Sequence, residues 1–314
     1  MREAKAKEAK QELRLSGNFF SRLSTDAIVG LIIASVVLLV FVVFFFRYWN
    51  SRDSTDAPTF NQVSAIAPSD LNAKTLFIAD INGLFRSANG GKDWKRAPGI
   101  AKGEAYRAVE VVPGSPGTLI AAGSHSLRRS TDGGKTWTIV ANDLPSQDFQ
   151  SFTIDPVQPN TFYAYLNPEG LFRSDNSGAA WTKVTSFENA SLTTLAVKPG
   201  EPKLLFAFHS SRGLLRSRDG GVTFEPVTGT LPATSVTDVL PIPNDPQTVF
   251  AIASRTLYRS KDGGTTWAKA GQGLSGANVI AIGRDGATGT LFAADPTGFL
   301  YSSTDGGENW LPQT

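Results

Sequence analysis

Five arginines stand at one phase of the chain: Arg86, Arg129, Arg173, Arg216 and Arg259 each precede a serine, at intervals of 43 or 44 residues. A guanidinium presents a fork of donors that matches a carboxylate, so arginines converging on one point would bind an acidic substrate. In-phase repetition points elsewhere. The same position in successive structural units is expected to make the same contact each time, between units or along their surface, with the long stem covering apolar atoms. The two histidines, His125 and His209, fall in corresponding loops of the repeat and are expected to face solvent; a metal site would need further convergent ligands. The chain has no cysteine, which excludes disulfides, thiolate chemistry and Cys-containing metal sites. No Walker, Rossmann or nucleophile-elbow pattern appears in its proper context, and the Asp-Gly steps lack calcium-loop spacing. The expectation is therefore no catalytic residue, no cofactor and no metal.

The serines that follow those arginines open an octapeptide that occurs six times: SANGGKDW (87–94), STDGGKTW (130–137), SDNSGAAW (174–181), SRDGGVTF (217–224), SKDGGTTW (260–267) and STDGGENW (303–310). Paired glycines allow positive φ in a tight hairpin turn. The Asp or Asn at the third position (Asn89, Asp132, Asn176, Asp219, Asp262, Asp305) can accept bonds from nearby backbone N–H groups. The aromatic residue that closes the box (Trp94, Trp137, Trp181, Phe224, Trp267, Trp310) offers a large apolar plate to the next strand. Repetition at one structural position argues for a structural role in every copy.

A period of about 40–45 residues suits one four-stranded propeller blade. The stretch from Ala57 to Thr314 holds six such units, and each shows four short runs rich in β-branched and aromatic residues. In the second unit they are 106–112, 118–122, 126–130 and 137–141. Proline-rich turns such as Pro113-Gly114-Ser115-Pro116 separate the first two runs of a unit, because proline cannot continue a ladder. The predicted fold is all-β, a six-bladed β-propeller. Two ways of closing the ring stay open: side-chain packing between first and last blades, or a strand from 59–63 added to the last blade.

The octapeptides resemble the Asp-box, or BNR repeat, and the resemblance covers about four-fifths of the chain. Asp-boxes occur in sialidases and other glycosidases, in sortilin-type receptors and in photosystem assembly and stability factors, so the motif speaks to fold more than to function. A sialidase resemblance would imply three arginines on a substrate carboxylate, a Tyr–Glu nucleophile pair and an acid Asp. The F/Y-R-I-P motif of those enzymes is missing, and the nearest Tyr–Glu combination, Tyr165 and Glu169, lies on an ordinary strand-to-loop passage. The photosystem factors are similar in repeat type and in extracytoplasmic placement. They would imply seven blades, where six are counted here.

Ahead of the repeats, 27–46 is a run of twenty residues without a charge, AIVGLIIASVVLLVFVVFFF, long enough to span a bilayer as a helix. It ends in Phe-Arg-Tyr-Trp rather than at a small-residue cleavage site, so a retained anchor is expected over 27–49. Residues 1–26 form a basic, helix-prone tail, 50–58 a short linker and 59–314 the propeller. Six Lys/Arg precede the run, which places the tail in the cytoplasm and the propeller in a periplasm or lumen. Residues 1–52 carry +4 and the remainder −2, so no nucleic-acid face is expected.

The function expected is a non-enzymatic, membrane-anchored propeller serving as an accessory, assembly or stability subunit of a photosynthetic or respiratory membrane complex. The alternative is an extracytoplasmic glycan-binding protein or sialidase-like hydrolase. Partner contacts are expected on the face that carries the loops between second and third strands and between blades: Arg107, Asp148, Phe149, Gln150, Asn167, Glu169, Arg212 and Arg255. In the anchor, Gly30, Ala34 and Ser35 are the small residues on which another helix could pack.

Overall fold

The computed structural model describes Leu38 and residues 58–187, 192–199, 204–232 and 235–313. The expected tail, the anchor with Gly30, Ala34 and Ser35, and linker residues 50–57 lie outside the described residues, Leu38 apart. Among the described residues no helix is long and apolar enough to cross a membrane. The chain divides into two units, Met1–Asp56 and Ala57–Thr314, and the second is the repeat region.

That region folds as six four-stranded antiparallel meanders. Blade 1 is β1 (Val63–Pro68), β2 (Leu76–Asp80), β3 (Gly83–Ser87) and β4 (Lys95–Arg96). Blade 2 is β5 (Tyr106–Val111), β6 (Leu119–Gly123), β7 (Leu127–Ser130) and β8 (Thr138–Ile139). Blade 3 is β9 (Phe149–Ile154), β10 (Phe162–Leu166), β11 (Gly170–Ser174) and β12 (Thr182–Thr185). Blade 4 is β13 (Leu192–Val197), β14 (Leu205–His209), β15 (Gly213–Ser217) and β16 (Glu225–Pro226). Blade 5 is β17 (Val236–Ile242), β18 (Asp245–Ala253), β19 (Thr256–Ser260) and β20 (Ala268–Lys269). Blade 6 is β21 (Ala281–Arg284), β22 (Leu291–Ala294), β23 (Leu300–Ser303) and β24 (Leu311–Pro312).

Each first strand contacts the first strand of the next blade, and β21 contacts β1, so the six first strands ring the axis. Second strands such as β2 and β10 are buried on both faces and read as continuous apolar runs. Most outermost strands are two exposed residues, shorter than the sequence suggests, because an edge strand has a ladder partner on one side only.

The core lies between blades, not at the centre. Six apolar clusters fill the six interfaces; one packs Val109 and Leu119 of blade 2 on Phe77 and Leu84 of blade 1. The octapeptides help set these interfaces. The serine hydroxyl donates to the Asp or Asn carboxyl or amide oxygen and accepts the second glycine's N–H, as in Ser130 Oγ to Asp132 Oδ1 at 2.8 Å and Gly134 N to Ser130 Oγ at 2.9 Å. That glycine has positive φ and presses on a side chain of the preceding blade: Gly134 on Phe77, Gly178 on Leu127, Gly221 on Leu171, Gly264 on Phe206 and Gly307 on Phe250. The first blade's Gly91 meets Leu300 of blade 6. The ring therefore closes by side-chain packing without strand exchange: Val63, Ile66, Leu76 and Ile78 share a cluster with Ile280, Phe292 and Leu300. Residues 59–63 add no strand to blade 6. Instead Phe60 stands edge-on to Phe85 at 5.2 Å and to Trp94 at 5.7 Å.

Candidate functional site

The first strands enclose an axial channel of about 600 Å³. Being edges, they leave backbone groups without ladder partners, and side chains from the preceding blade satisfy several of them. Ser151 Oγ donates to Leu192 O at 3.2 Å, and Thr194 Oγ1 donates to Thr237 O at 3.2 Å. Two carboxylates act in the same way. Glu110 Oε2 accepts Ile154 N–H at 3.0 Å, and Asp238 Oδ2 accepts Ile282 N–H at 2.9 Å. They belong to blades 2 and 5, which stand opposite in a ring of six. Both are half-buried along the channel walls, which withdraws them in part from bulk water. That desolvation pushes Glu110 up to about 8, with Asp238's charge adding to the rise and the Ile154 N–H opposing it. Desolvation likewise pushes Asp238 up to about 7, against the Ile282 and Val239 N–H groups. Two carboxylic acids poised near neutrality in one cavity can hold or release protons. Arg107 and Arg284 also line the channel. Glu110 and Asp238 are the only acids in the six first strands, and that rarity was the available sequence signal.

The predicted contact residues gather on one face, with one exception. In a meander, the second-to-third turns and the interblade connections share a side. Asn167 and Glu169 lie in the β10–β11 turn, Arg212 in the β14–β15 turn and Arg255 in the β18–β19 turn. These are corresponding turns of three consecutive blades. Arg212 and Arg255 are exposed. Ser254 and Arg255 both have positive φ, 49° and 60°, the backbone of a tight hairpin turn. Arg107 and Gln150 sit near the same ends of β5 and β9, and Gln150 Nε2 donates to Asp148 Oδ2 at 2.9 Å. Phe149 is the exception. It is fully buried in the cluster between blades 2 and 3 and offers a partner nothing.

The in-phase arginines lie on third strands, and three of the five are engaged locally. Arg173 pairs with Asp175 at 2.7 Å and Arg216 with Glu225 at 3.0 Å, both within a blade. Arg259 pairs with Glu308 of the next blade at 2.7 Å. Tyr165 is buried while Glu169 stays at the surface. His125 is exposed as expected. His209 is not: it ends β14 and is buried. Its position pairs across the ladder with Leu192, and a strand residue at that register faces the neighbouring blade rather than solvent. Desolvation lowers the His209 pKa, with the Arg212 charge acting in the same direction. The four octapeptides with Asp at the third position keep it ionised: side-chain and backbone donors hold Asp219 and Asp305 down to about 2. Asn89 and Asn176 accept corresponding bonds through their amide oxygens. Groups of three or more His, Asp or Glu able to hold a metal are absent among the described residues.

The architecture makes the protein a six-bladed β-propeller. No protein-family model matches the sequence, and no curated protein matches it. Solved structures do. The GH74 xyloglucanase of Xanthomonas campestris superposes with a TM-score of 0.55 at 17% identity, over 80% of this chain and 47% of that one. The GH74 enzyme of Niastella koreensis gives 0.53 at 14% identity, again over 47% of its own length. This chain thus spans about half of each of these GH74 enzymes. YCF48 bound to a D1 peptide gives 0.53 at 15% identity, over 82% of this chain and 83% of that one. At such identities the likeness is one of fold.

Proposed function

We propose that the chain is a non-enzymatic propeller with Asp-box hairpins, held at a membrane by residues 27–49, and that it is an accessory or assembly subunit of a photosynthetic or respiratory membrane complex. The observation that carries this reading is the arc of Asn167, Glu169, Arg212 and Arg255 over three consecutive blades, on a face that also holds Arg107, Asp148 and Gln150. The arc sits on a closed ring whose turns are locked by local hydrogen bonds, and a rigid platform loses little entropy when it binds. YCF48, similar over nearly the whole propeller, holds a peptide. A second contact through Gly30, Ala34 and Ser35 would raise the effective concentration of the arc at its partner without a strong single site. Topology follows the cation count: tail in the cytoplasm, propeller in the periplasm or lumen. Charge reversal at Arg212 and Arg255 tests the reading: the complex should co-purify with the native chain and be lost from the variant.

One observation favours glycan hydrolysis instead: two carboxylates, Glu110 and Asp238, line one channel, and a glycosidase needs one as proton donor and the other ionised as base or nucleophile. Each is already bonded to a neighbouring blade's backbone, which favours a structural role. Hydrolysis of xyloglucan or a sialoside, abolished by Glu110→Gln or Asp238→Asn, would establish the enzyme.

A further inference from the structure

A second cavity, of about 430 Å³, opens between the outer parts of blades 3 and 4. Its walls include Phe187 and Phe224, whose rings stand edge-on at 5.3 Å. Phe224 occupies the position that is Trp in the other five octapeptides, and the smaller ring leaves room there. The polar side of the cavity is His209, Ser211 and Arg212. His209 is buried, and its Nδ1 accepts the backbone N–H groups of Ser211 and Arg212, each at 3.2 Å. With Nδ1 committed as an acceptor, the ring proton sits on Nε2. No described residue accepts that proton. Arg212 forms no ion pair among the described residues; its guanidinium reaches only the Phe224 carbonyl, at 3.4 Å. The cavity therefore combines two aromatic walls with two outstanding donors, one of them cationic.

We infer that this cavity binds a small carboxylic acid carrying an aromatic or apolar group. The ring would lie on Phe187 and Phe224 and the carboxylate would take hydrogen bonds from Arg212 and from His209 Nε2. The volume suits such a molecule, since small-ligand pockets begin near ~300 Å³. Arg212 belongs both to this cavity and to the proposed docking arc, but ligand binding in the cavity does not rest on the partner reading, and the 3-phenylpropionate titration needs no second protein.

The test is a titration of the full chain with 3-phenylpropionate, read by NMR of the histidine rings, His125 serving as the internal reference. Saturable shifts confined to His209 are expected, with 3-phenylpropanol and acetate binding far more weakly. Arg212→Gln should weaken binding about tenfold or more, because a charge-assisted hydrogen bond is lost. Phe224→Trp, which restores the residue of the other five copies, should fill the cavity and abolish binding while the fold is retained. Absence of a saturable His209 shift, or shifts that persist unchanged in both variants, would overturn the inference.

Discussion

Gly91 and Leu300 meet at the seam where the ring closes: the octapeptide turn of the first blade is seated against the third strand of the last, with no room for a Cβ between them. The other five octapeptides make the same kind of contact on the blade before them. Closure thus repeats an ordinary interface, and no exchanged strand is required.

That relation gives a paired experiment. Gly90 and Gly91 both have positive φ, 78° and 91°, but a Cβ at Gly90 meets nothing within 4 Å. Gly90→Ala should cost about 1–2 kcal/mol from backbone strain alone. Gly91→Ala should cost about 1–3 kcal/mol more through overpacking at the seam. Thermal unfolding compares them; equal losses would show that the seam contact contributes nothing.

The octapeptide acids should govern stability in acid. Asp132 is held well below the usual carboxylate range, first by the Thr136 hydroxyl and then by its N–H. A carboxylate depressed in the fold contributes stability that is full above the unfolded value, near ~3.9, and is lost as pH falls through the folded value. Asp132→Asn should cost less at pH 7 than Asp132→Ala, since Asn89 already accepts from Ser87 Oγ at 2.9 Å in the same way. The gap in Tm between native protein and Asp132→Asn should shrink as pH is lowered from 4 to 2; a constant gap would contradict the assignment.

The channel acids carry the opposite sign. Glu110 and Asp238 have folded values of about 8 and about 7, above unfolded values near ~4.3 and ~3.9. Folding favours their protonated forms. Their contribution is best below the unfolded values, declines as pH rises through the window from about 4 to about 8, and is flat beyond. Glu110→Gln and Asp238→Asn keep the shape of the side chain without the charge. Each should gain several degrees of Tm relative to native protein at pH 8.5 compared with pH 5. The same difference at both pH values would show that the carboxylates ionise freely.

Topology can be read cleanly because the chain has no cysteine. A single cysteine at Ser16 and another at Ser275, tested separately with a membrane-impermeant maleimide in sealed membranes whose extracytoplasmic face is outward, should label only at Ser275. Labelling at Ser16 alone would invert the orientation.

How far the sequence carried the account differs from one residue to another. The turns were legible because their cause is local: Ser130, Asp132 and Gly134 bond within a few residues of one another. Phe149 was misplaced because proximity to a loop says nothing of which way a strand's first residue points. The corresponding Val63, Tyr106, Leu192 and Val236 are all buried, and that apolar recurrence was the better guide. His209 was misread for a related reason, since a strand end and a loop differ by one register step. The Glu110 bond to Ile154 spans 44 residues and exists only once the ring has formed, so no local pattern could announce it.

The central claim is that the loop-bearing face docks this propeller onto a membrane complex. The direct measurement is quantitative co-purification from gently solubilised native membranes, with native chain and Arg212→Glu/Arg255→Glu side by side and partners weighed by mass spectrometry. The account predicts stoichiometric recovery of one multi-subunit complex with the native chain and its loss from the variant. Recovery of the native chain alone, or of the same complex in equal amount with both, would contradict it.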